Sequence, residues 1–277
     1  MDTPYHLRIL PARRFFELKN LSELWTFREL LVALAIRDIK LRYRQTALGV
    51  AWVILQPLLA SGVLAFVFGV VAGVTKPSRS SVFVFVLAGF IGWSFFNAAF
   101  SRASQSLLQH SALISKVFFP RIILPASAII SALVDLAVAL PLFLLVVFLS
   151  RTPVGWEIVT VPVWLGLILI LSFGLGLISA SLSVRFRDVQ YIAPVFVQIL
   201  FYASPIAYQT AAVPEKWRPL FLLNPLASAF EGLRWSLVGE GQPDLSGASY
   251  CLFVSFFVLV LGLLFFRSAE REFADVI

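Results

Sequence analysis

Arg37–Pro57 reads RDIKLRYRQTALGVAWVILQP, a basic stretch that runs without a break into an apolar one. The segment before it, from Phe27 to Arg44, is long enough for a helix of about 27 Å. Val32, Ile36, Ile39 and Tyr43 recur at 4-3-4 spacing and predict one apolar stripe, with Arg37, Lys40 and Arg44 on another face. A helix of that kind lies in a membrane interface with its cations toward lipid headgroups or a cytosolic partner. Because it is continuous with the first apolar span, it couples something outside the bilayer to something within it.

Working outward, the 277 residues are 60% hydrophobic and only 13% charged, too apolar for an ordinary soluble domain at about 25% charge. Six stretches are long and apolar enough to span hydrocarbon: Ala47–Val74, Val82–Ser104, Ile122–Leu149, Ile158–Val184, Val189–Tyr208 and Ser249–Phe266. The expected organisation is a cytosolic arm at 1–46, a membrane domain at 47–266 and a short cytosolic tail at 267–277. Lys and Arg fall 16 to 6 between alternate compartments, which places both termini in the cytosol. The first 46 residues hold no apolar run of the kind a cleavable signal needs. The single cysteine, Cys251, excludes a disulfide framework, and His6 and His110 are too far apart in sequence to suggest a metal site.

Two connections exceed simple turns. Arg102–Arg121 is long enough for a short helix projecting on the cytosolic side. On the other side, the apolar run Pro219–Phe230 is broken by Asn224-Pro225, a helix N-cap followed by a first-turn proline. Two half-helices, forming a re-entrant or interfacial hairpin closed by Glu231 and Arg234, are predicted there. Within the first span, about 42 Å if fully helical, Pro57 offers a place to kink. Ser172, Gly176 and Ala180 repeat every four residues and form a small-residue face for close helix packing.

The chemistry is defined largely by what is missing. A phosphate-binding loop needs Gly-Lys, yet the five lysines follow Leu, Ile, Thr, Ser and Glu. Any ATP and Mg²⁺ therefore belong on another chain. No catalytic triad or metal constellation stands out. Asp135 is the one acid deep within an apolar run, either a proton site or a hydrogen-bonded packing residue. Trp156, Trp164, Trp217, Trp235 and Tyr250 fall near the outer boundary, with Tyr43 and Tyr191 near the inner one, as an interfacial belt would. The RD strings at 37–38 and 187–188 suggest structural ion pairs.

Three segments together resemble the ABC-2 type permeases: RDIKLRYRQTALGVAWVILQP, Arg185–Tyr208 (RFRDVQYIAPVFVQILFYASPIAY) and the hairpin bearing Asn224-Pro225. The nearest subgroup comprises the transmembrane subunits that export O-antigen, capsular polysaccharide or teichoic acid. The resemblance runs from about Leu30 to Phe266. It implies an all-α, six-span subunit with an N-terminal interface helix and a re-entrant hairpin before the last span. It also implies a homodimer joined to a separate ABC ATPase, moving a lipid-linked polysaccharide and binding no nucleic acid. The first and fifth spans would line the path, making Trp52, Gln56, Phe66, Tyr191, Phe196, Gln198, Tyr202 and Tyr208 the candidate channel residues. Flat aromatic faces with polar edges suit sliding sugar rings. Arg37, Lys40, Arg42 and Arg44 would meet lipid headgroups. Leu107, Leu108, His110, Leu113, Ile114 and Lys116, in a cytosolic helix at Gln105–Lys116, would dock on the ATPase. The alternatives are a related exporter of a drug, small molecule or lipid, and a membrane-embedded transferase acting on a lipid carrier.

Overall fold

A chain in hydrocarbon has no water to satisfy its backbone, so apolar runs of this length fold as helices. The computed structural model describes residues 25–44, 49, 51–114, 116–117 and 119–270. Its elements are α1 (Arg28–Tyr43), α2 (Ala51–Ala65) continued by a π-helical turn at Phe66–Val71, and α3 (Val82–Gln109). The short α4 (Ser111–Ile114) and α5 (Ile123–Leu149) follow, then a 3₁₀ turn at Trp156–Thr160 leading into α6 (Val161–Arg185). The last four are α7 (Val189–Tyr202), α8 (Arg218–Leu222), α9 (Pro225–Val238) and α10 (Leu245–Glu270). No strand occurs among the described residues. Among the described residues five helices are long and apolar enough to cross a membrane, which makes this a polytopic membrane protein.

The helix α3 is the central post, packed by α2, α5, α6, α7 and α9. Ser81 starts it, accepting from the Val84 N–H at 3.3 Å. α6 lies between α3 and α10 and meets both through its small residues. A Cβ on Gly176 would come within 2.6 Å of the Ala103 methyl, and one on Gly174 within 2.7 Å of the Leu259 backbone nitrogen. Ser172, Gly176 and Ala180 are all buried, as the four-residue repeat predicts. At one end of the bundle Leu34 of α1, Leu107 of α3, Ile123 of α5, Val184 of α6 and Phe266 of α10 form one apolar cluster. The interface helix and the C-terminal end of α10 therefore share one face of the molecule.

Three expectations are corrected. Among the described residues the helical part of the first span is Ala51–Val71, 21 residues or about 31 Å, and the helix ends before Val74, the expected limit of the span. α2 runs through Pro57, and the winding departs from α-helical at Phe66–Val71. The expected fifth span ends as a helix at Tyr202, six residues early, because the chain turns at Ala203–Pro205. The predicted helix Gln105–Lys116 is not a separate element. α3 runs on to Gln109 and breaks at His110, leaving only the single turn of α4. On α1, Val32 and Ile36 of the stripe read from spacing are exposed and Ile39 is half-buried, while Leu34 and Ala35 are buried against the protein. Apolar residues therefore occupy both sides of α1.

Candidate substrate path and interface helix

Asp135, alone in its apolar run, acquires partners from two other helices. Arg42 of α1 donates to its Oδ2 at 2.6 Å, and Arg102 of α3 donates to the same oxygen. Arg102 also donates to the Ser131 hydroxyl at 3.1 Å. The trio borders a cavity of about 840 Å³ between α2, α3 and α5, which Trp52, Gln56, Ser94 and Asn97 also line. A second cavity of about 480 Å³ shares Arg42, Ser101 and Arg102 with the first and reaches Asp38, Gln105 and His110 near the α1 end. There His110 donates through Nδ1 to the Ser106 carbonyl at 2.8 Å, and its Nε2 lies 3.4 Å from Asp38. Arg37 pairs with Asp38 at 3.1 Å, as its RD string predicts. Asp188 instead sits at the start of α7, its carbonyl accepting from Ile192 at 3.0 Å.

The candidate channel residues divide into groups. Trp52, Gln56, Leu59, Val63, Phe66 and Val70 are all exposed, at 4-3-4-3-4 spacing along α2 and its π turn. On α7 Tyr191, Val195, Gln198 and Tyr202 form a second exposed stripe. Trp52 is 50% exposed, Tyr191 78% and Tyr202 68%, far beyond what aromatic rings show inside a core. Both helices pack on α3, and these faces stay exposed among the described residues. Phe196 turns partly toward α3, its ring 5.9 Å from Phe100. Tyr208 is half-buried beyond α7, between Phe68 at 6.0 Å and Phe221 at 5.9 Å.

At the end opposite α1, side chains distant in sequence take up the backbone that follows α7. Asn224 Nδ2 donates to the Ala203 carbonyl at 3.0 Å and to the Ser204 hydroxyl at 2.9 Å. Its Oδ1 accepts from Leu226 at 3.0 Å, the N-cap that the Asn-Pro pair predicts. Arg234 is fully buried and does not close the hairpin with surface charge. It donates to the Pro205 carbonyl and, at 3.1 Å, to that of Ile206, with its guanidinium 4.0 Å over the Phe85 ring. Thr75 donates to the Ala207 carbonyl. Glu240 is gripped by the Ser80 N–H at 3.0 Å, the Ser78 hydroxyl at 3.1 Å and the Arg79 N–H. Burial pushes its carboxyl up, but these donors outweigh burial and hold it below the ordinary glutamate range. Sequence reasoning missed Glu240 because its partners lie about 160 residues away.

The residues expected to meet an ATPase are already used within the chain to differing degrees. Leu107 is 0% exposed, inside the cluster beneath α1. His110 is buried, Leu108 half-buried, and Leu113 and Ile114 pack partly on the same cluster. Gln105, Gln109, Lys116 and Val117 are exposed. Of the interface cations, Arg37, Lys40 and Arg44 are exposed and Arg42 turns inward to Asp135. The side chain of Tyr43 and residues 1–24 lie outside the described residues.

Comparison with known proteins agrees with this arrangement. The chain is 30% identical over 262 residues to the O-antigen export system permease protein RfbA of Myxococcus xanthus, covering 94% of this chain and 100% of that one. It is 28% identical over 252 residues to RfbA of Klebsiella pneumoniae, covering 90% and 95% respectively. The polysialic acid transport protein KpsM of Escherichia coli is 26% identical over 261 residues, covering 94% and 98%. The ABC-2 type transporter family matches residues 29–238, nearly everything from α1 to the end of α9, and the chain belongs to that family.

Proposed function

We propose that this chain is the permease subunit of an ATP-driven exporter that moves a lipid-linked polysaccharide of the O-antigen or capsule class across the cytoplasmic membrane. The observation that carries this reading is end-to-end similarity to permeases named for O-antigen export and polysialic acid transport. The lack of any Gly-Lys sequence agrees with ATP and Mg²⁺ being bound by a separate subunit. In this reading two copies face each other across the exposed stripes of α2 and α7. Trp52, Gln56, Phe66, Tyr191, Gln198 and Tyr202 then offer aromatic faces and amides to passing sugars. Phe196 and Tyr208 stand behind that lining. The ATPase docks at the face shared by α1 and the α3–α4 corner, through Gln105, Gln109, Lys116 and Val117 rather than through Leu107. Lys40 and Arg44 meet lipid headgroups at the same cytosolic face, and α7 with the turn after it makes the sixth crossing.

The test is deletion of the gene in its host, with complementation. Loss of surface polysaccharide, its build-up inside the cell, and rescue by the intact chain are expected. Unchanged surface polysaccharide with altered sensitivity to a toxic small molecule would overturn the reading in favour of drug export.

A further inference from the structure

We infer that the cleft between α1, α2, α3 and α5 is a binding site for a phosphate group, held in this structure by Asp135 as a resident stand-in for the ligand. Arg42 and Arg102 converge on one carboxylate oxygen, Oδ2, from different helices. Two guanidinium groups closing on a single oxygen is how arginines grip a phosphoryl oxygen. The Ser131 hydroxyl accepts from Arg102 and fixes its direction. The trio carries two cations and one acid, so it has a formal surplus of one positive charge. Asp38, which lines the adjoining cavity with Arg42 and Arg102, is paired with Arg37 and faced by His110.

The surroundings suit an amphipathic ligand. The cavity of about 840 Å³ is far larger than an ion pair needs to relax. Uncharged donors and acceptors (Gln56, Ser94, Asn97, Ser101) stand near the arginines, while Val53, Phe90 and Leu136 give apolar walls for a chain. Arg42 and Trp52 are both part-exposed at the rim, so a ligand reaches the arginines without the core unpacking. A phosphate entering there shares Arg42 and Arg102 with Asp135, and Ser131 continues to fix the direction of Arg102. This inference holds whatever cargo the transporter carries.

The sign of one substitution separates a phosphate site from a purely structural latch. The purified transporter, with its co-purifying subunits, is titrated with dioleoyl phosphatidic acid, with dioleoylglycerol and with inorganic phosphate, and bound ligand is read by native mass spectrometry. Phosphatidic acid is expected to bind and dioleoylglycerol is not. Arg42→Gln and Arg102→Gln each weaken phosphatidic acid binding, and Asp135→Asn strengthens it by about tenfold, the scale of removing one close competing charge. Competition by millimolar inorganic phosphate assigns the site to phosphate from any source; its failure assigns the site to lipid-borne phosphate. Equal binding of dioleoylglycerol, or a weakened or unchanged Asp135→Asn variant, overturns the inference. Should Asp135→Asn fail to assemble, Arg42→Gln decides, because it leaves Asp135 paired with Arg102. Unchanged affinity in that variant overturns the inference as well.

Discussion

At the scale of single residues, the side chains that hold the far end together are those whose partners are remote in sequence. Arg234 fills two carbonyls that no helix serves, those of Pro205 and Ile206. Arg234→Ala is expected to lower stability in detergent by roughly 2–4 kcal/mol, since both acceptors lose their donor. A thermal unfolding midpoint equal to that of the parent chain would refute this. Glu240 gives a pH-dependent case. Its carboxyl is held below the ordinary range, so its contribution is complete above the usual glutamate value of about 4.3 and is lost as pH falls through the lower folded value. Glu240→Gln should therefore be less stable than the parent at neutral pH and should lose less on acidification, as unfolding midpoints measured from pH 7 to pH 3 will show. Asn224 was legible in the sequence because a cap acts on its neighbours two residues on. Arg234 and Glu240 were not, since nothing local marks which carbonyls or amides they serve. Asp135 was legible as a lone acid but not as a shared one. Arg102, a second charge set among the residues of an apolar helix, was the available signal.

At the scale of elements, helix identity was readable wherever apolar length decided it, and helix ends were not. α3 outruns its predicted limit at Ser104 because Ser106, Leu107 and His110 remain buried by α1 and neighbouring helices, which sustains the winding past the apolar run. α1 illustrates the limit of periodicity, since two apolar faces compete and tertiary packing chooses between them. The spine formed by α6 gives a sharp contrast between two glycines. Gly174 presses on the backbone of α10, whereas a Cβ on Gly166 would meet nothing within 4 Å. Gly174→Leu should cost about 3 kcal/mol or more through overpacking, and Gly166→Leu should be tolerated. Comparing the yield of monodisperse protein from the two variants checks the prediction, and equal yields would remove α6 from its central role.

At the scale of the whole molecule, the proposed pairing of two copies across the exposed stripes of α2 and α7 has a direct test. Single cysteines at Leu59, Val63 or Phe66, in a Cys251→Ser background, should give disulfide-linked dimers on oxidation in membranes. A cysteine at Phe257, on the exposed face of α10, should not; equal cross-linking at all four positions would refute a specific interface. The captured carbonyls after Tyr202 carry one more consequence. α7 contributes only 14 residues of helix, about 21 Å, where the hydrocarbon layer is about 30 Å deep. In the proposed six-crossing arrangement the remaining depth falls to irregular backbone at Ala203–Ala207, whose carbonyls accept from Asn224, Arg234 and Thr75. The apolar wall that α7 then offers to a hydrophilic chain moving beside it is correspondingly short.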